Sequence, residues 1–131
     1  MTEYIRERFE AIEECYEFML AYAAQGLTSD KGSDSGRQIR EYLNRLVEAL
    51  SGLAESCATE GDAFERFLTV LDRDARDSLA AIELVLAQPA ISSQLIDNLN
   101  ASMHLRALLT DLFLLGEVFR MQPATAEIAT S

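Results

Sequence analysis

Glycine and proline are scarce in this chain, 6 and 2 residues in 131. So few helix breakers leave little room for turns, which favours a handful of long helices over many short strands. Histidine occurs once, as His104, and the two cysteines, Cys15 and Cys57, stand alone with no CxxC and no neighbouring His. A zinc site and a disulfide scaffold both need denser clusters than that. No metal or other cofactor is expected, and the two thiols read as reduced and buried.

Positive charge is also in short supply. With 11 basic against 22 acidic residues the net charge is −11, and Lys31 is the only lysine. Nucleic acids and anionic membrane surfaces are excluded as partners, because both are held by basic stripes. The longest apolar run is interrupted by Arg106, Asp111 and Glu117, so it does not read as a membrane span. The first residues, MTEYIRERFE, lack the apolar core of a signal peptide. A cytoplasmic protein is expected.

What is present is apolar periodicity. Hydrophobic residues make up 49% of the chain and charged residues 25%, the composition of one globular domain. That domain is placed at residues 1–121, followed by a tail at 122–131, QPATAEIATS, which has no period and is expected to be flexible. Ile5, Phe9, Ile12, Tyr16, Met19 and Ala23 mark one face of a first helix over residues 2–24, capped by Thr2 and closed at Gly26. A second stripe, Tyr4, Ala11, Cys15, Phe18 and Tyr22, runs beside it. It serves either a second neighbour within the bundle or a subunit contact through Phe18 and Tyr22.

The second helix is expected over 37–58, from Ile39, Leu43, Leu46, Leu50, Leu53 and Cys57, with Arg40 on its outer side. Between these two helices, LTSDKGSDSG reads as a long polar loop, mobile or lid-like; its glycines do not match a P-loop. A third helix is expected over 62–88, begun by Asp62 or Thr59 and stopped by Pro89, with Ser92 or Ser93 starting the next.

The last segment behaves differently. Leu95, Ile96, Leu99 and Met103 point one way, while Leu105, Leu108, Leu112, Leu115 and Phe119 point nearly opposite at 100° per residue. Either the helix breaks near Asn98–Ser102, or it is covered on two sides. Leu109, Phe113, Leu114 and Val118 flank the second stripe, so this helix is apolar nearly all round.

The expected fold is therefore all-α: an antiparallel four-helix bundle, or five helices if the last is broken. Its apolar excess points to a homodimer or higher oligomer, with Phe18, Tyr22, Leu108, Leu112, Leu115 and Phe119 at the interface.

Chemistry is thinly represented. Glu10, Glu13, Glu14 and Glu17 form a solvated stripe, since a di-iron bundle needs Glu-x-x-His pairs. Asp111, a charge inside LLTDLFLL, is expected to pair with Arg106 or Arg120. The reading that follows is a non-enzymatic interaction module (an adaptor, assembly factor or regulatory subunit) that binds its own copy or another protein. The alternative is a small-molecule or cofactor binder with the ligand in the bundle interior near His104, Asp111 and Tyr22.

Overall fold

The structure, a computed structural model, describes residues 3–57 and 62–121. The regular structure among these residues is entirely helical: α1 (Glu3–Ala23), α2 (Asp34–Leu50), α3 (Leu53–Ser56), α4 (Asp62–Leu86), α5 (Ser93–Ala101) and α6 (Met103–Met121). The expected caps at Thr2 and Thr59 and the tail at 122–131 lie outside the described residues.

Four columns make up the bundle: α1, α2 with the short α3, α4, and α5 with α6. Cross-contacts set the register. Arg45 reaches Glu14 at 2.9 Å and Phe18 stacks on Tyr42 at 4.2 Å between ring centres, so α1 and α2 run antiparallel. Phe64 meets Phe119 at 5.4 Å and Ser78 donates to the His104 carbonyl at 2.9 Å, so α4 and α6 do the same. Ile12 and Met19 of α1, Leu43 and Leu46 of α2, Leu71 and Ile82 of α4, Ile96 of α5, and Leu105 and Leu108 of α6 are sealed from solvent at the centre. Full burial of each such side chain stabilises the fold by roughly 1.5–3 kcal/mol.

Two long helices expected from periodicity are each split. The second starts earlier than residue 37, at Asp34, because Ser33 adopts an extended conformation and its hydroxyl accepts from the Gly36 amide at 3.0 Å. It ends at Leu50 instead of running to residue 58, because Gly52 takes a left-handed φ of 66°. The chain then resumes as α3, and its apolar face stays in register: Leu53 and Cys57 are still buried. Arg8 of α1 closes the gap, donating to the Gly52 carbonyl at 3.2 Å and the Glu48 carbonyl at 3.3 Å. A cation at a helix C-terminus satisfies orphan carbonyls and opposes the helix dipole.

The second split falls at Ser102, inside the range that the two opposed stripes indicate. Ser102 is extended (φ −63°, ψ 146°); its amide bonds the Leu99 carbonyl, and its hydroxyl accepts from the Leu105 amide at 3.3 Å. One residue thus ends α5 and begins α6. The break lets Ile96, Leu99 and Asn100 face α1 while Leu105, Leu108, Leu109, Leu112 and Leu115 face the rest of the core. The break places both stripes of the last segment in the chain's own core, while Met103, Phe113 and Leu114 stay exposed.

Candidate functional site

Three places concentrate chemistry or unspent surface. The first is a polar clamp at the end of the bundle where α1 leaves for α2. Asp30 is buried in the 24–33 connection and accepts from Arg40 Nε at 2.6 Å and from the Ile91 amide at 2.7 Å. Arg40 also donates to the carbonyls of Leu86 at 3.1 Å and Gln88 at 3.0 Å, which closes the C-terminus of α4. The Arg40 guanidinium holds the Asp30 carboxyl below the usual carboxylate range.

Tyr22, fully buried, donates to the Ile91 carbonyl at 2.7 Å, and burial pushes its hydroxyl pKa up, so it remains a neutral donor. Ser93 ties the loops together: its hydroxyl donates to the Tyr22 carbonyl at 2.6 Å and accepts from the Leu27 amide at 2.8 Å. At Gly36 an added Cβ would lie 1.7 Å from the Asp30 carbonyl oxygen, so the first turn of α2 and this connection touch backbone to backbone. The polar segment read as mobile or lid-like is thereby pinned to the bundle. A cleft of about 450 Å³ opens beside Gly32, Ser33, Asp34 and Arg37, where Asp34 pairs with Arg37 at the surface.

The second place is the seam between α4 and α6. Asp111 is buried, with Oδ2 making no hydrogen bond. Its neighbour is Asp74 of α4. Burial, reinforced by this second carboxyl, pushes Asp111 up to about 7. The expected ion pair is not formed. Arg120 pairs with Glu117 on the surface, and Arg106 stands on the outer side of α6, about 140° round the helix from Asp111.

The third place is the outer face of α6. Met103, Phe113 and Leu114 are exposed there, by 83%, 64% and 52%, beside the half-buried Ala107 and Val118. On a helix these five residues span an arc of about 140°, which Arg106, Thr110 and Glu117 share.

The residues singled out from sequence are not brought together. Tyr22 belongs to the clamp, His104 is exposed at the first turn of α6, and Asp111 lies about 10 Å further along that helix in the seam. The clefts beside Gly32–Arg37, beside Tyr4–Ala11 and beside Ala23–Thr28 are lined by none of the three. The interface set is likewise placed inside the chain's own fold. Tyr22, Leu108, Leu112, Leu115 and Phe119 are buried core, and Phe18, half-buried, is covered by the Tyr42 ring. The second stripe of α1 serves a second neighbour within the bundle, as Cys15 and Tyr22 are sealed between α1 and the elements beside it.

Sequence reasoning missed Asp30 and Asp74, and placed Arg40 outside. A lone Asp in a polar loop carries no period, and only the fold shows that Arg40 reaches back to it. No group of three or more His, Cys, Asp or Glu capable of holding a metal ion occurs among the described residues. Cys15 and Cys57 are free and buried; burial pushes Cys15 up to about 11 and raises Cys57, so both are thiols at neutral pH. No helix among the described residues is long and apolar enough to cross a membrane. No protein-family description, no curated protein and no solved structure matches this chain.

Proposed function

We propose that this chain is a non-enzymatic helical interaction module, serving as an adaptor, assembly factor or regulatory subunit and acting as a homo-oligomer. The observation that carries this reading is the outer face of α6, where Met103, Phe113 and Leu114 stand in solvent on a helix whose other side is already core. Large apolar side chains gathered on one exposed helix face are the usual anchors of helix-to-helix recognition. The free, buried thiols Cys15 and Cys57 suit a reducing, cytoplasmic setting.

The test is sedimentation velocity over a wide concentration range, together with native mass spectrometry. A reversible species heavier than the monomer, carrying no small molecule, is expected. A strict monomer holding a bound small molecule would overturn the reading in favour of a ligand carrier.

A further inference from the structure

The distribution of charge indicates what covers α6. Among the long helices, α1 carries six glutamates against two arginines and α4 six acidic residues against three arginines. With a net charge of −11, two copies repel each other over most of their surfaces. The charges of α2 balance, three acidic against three arginines, and the exposed charges of α6 are net positive: Arg106, Glu117 and Arg120, two positive and one negative. The apolar arc therefore coincides with a face that is not acidic, where a second copy can approach without that repulsion.

The two exposed charges that lie within the arc, between Phe113 and Leu114, also have a self-complementary placement. Arg106 and Glu117 lie on the same side of α6, eleven residues and about 16 Å apart, with Thr110, Phe113 and Leu114 between them. A two-fold axis passing beside residues 111 and 112 exchanges their positions. Arg106 of one copy then stands opposite Glu117 of the other, twice, and Phe113 and Leu114 close the middle. A parallel arrangement would set arginine against arginine and glutamate against glutamate.

Arg106 makes no ion pair among the described residues, and the Glu117–Arg120 pair is exposed on both sides. Surface pairs of that kind contribute little, so Glu117 can change partner at small cost.

We infer that two copies of this chain pair antiparallel through the outer faces of their α6 helices, held by Phe113 and Leu114 and aligned by reciprocal Arg106–Glu117 contacts. The inference rests on the interaction reading above and specifies its partner and its face. Specific interfaces bury roughly 1,200–2,000 Å² in total, and one helix pair sits at the small end, so the dimer is reversible.

The experiment uses sedimentation equilibrium on the full chain and three variants, Leu114→Glu, Arg106→Glu and Glu117→Arg. All three positions are exposed, and circular dichroism checks that each variant keeps its helices. Leu114→Glu is expected to weaken dimerisation at least tenfold. Arg106→Glu and Glu117→Arg are each expected to weaken it alone, and a one-to-one mixture of the two to recover it as a heterodimer, because each copy then meets its opposite charge.

A wild-type dimer untouched by all three changes would overturn the α6 pairing and leave the wider interaction reading standing. So would loss of dimer in both charge variants without recovery on mixing. A wild-type chain monomeric at every concentration would remove both.

Discussion

Asp30 and Asp111 are two aspartates buried to nearly the same degree, 8% and 7% exposed, and their chemistry is opposite. Asp30 sits where one guanidinium and one backbone amide point at it, and its charged form is favoured. Asp111 sits between two packed helices with a second carboxyl beside it and one oxygen unpartnered, and its neutral form is favoured. Burial alone does not set the fate of an acid. What decides it is whether the fold delivers donors to the site. The clamp is built to hold an ion; the seam holds a carboxyl that takes up its proton near neutral pH.

Three changes test this contrast. The largest effect is expected at the clamp. Arg40→Ala strands the Asp30 carboxylate and frees the Leu86 and Gln88 carbonyls, and should cost about 3 kcal/mol or more of stability in urea unfolding at pH 7. If Arg40→Ala proves neutral, the clamp is surface decoration.

At the seam the sign reverses. The Asp111 pKa in the folded chain is raised to about 7 from an ordinary 3.8, so its stabilising contribution is complete below about 4 and is lost as pH rises through 7. Asp111→Asn should therefore stabilise the protein at pH 8 by about 2 kcal/mol and bring little gain at pH 4. Thermal melts at the two pH values read this directly, and an equal shift at both would show that Asp111 does not titrate there. Asp30 follows the other rule: its pKa is lowered, so its contribution is present above the ordinary value and disappears only as pH falls below it.

The smallest change is Ser102→Ala, which removes one cap from α6 and should cost about 1 kcal/mol in the same unfolding assay. It leaves both aspartates as they are, and so sets the scale for a purely local loss.

The fold was largely legible before any coordinates. Apolar spacing marked four columns, and the reversal of direction between Leu99 and Leu105 located the break to within a few residues, because burial must follow a single face of each straight helix. Gly52 was not read as a stop, since the apolar pattern continues across it through Leu53 and Cys57. The sites were harder to read. Tyr22 and Asp111 were noticed as unusual, but their partners, Ile91 and Asp74, lie 69 and 37 positions away in the chain, and no local pattern reports such distances.

The flanking residues Phe113 and Leu114 were visible as well. Which side of an all-apolar helix faces water depends on the neighbours, and the neighbours chose the stripe of Leu105, Leu108 and Leu112 as core.

The single extended residue at Ser102 has a consequence for how this chain tolerates change of length. Every residue added or removed there rotates all that follows by about a quarter turn or more relative to what precedes it. One deletion would swing Leu108 and Leu115 sideways and carry wet positions such as Arg106 toward the interior. The joint should accept replacements of Ser102 at the cost of its cap and almost no insertions, so that in a randomised library this one position behaves as a phase lock, tolerant of identity and strict in count.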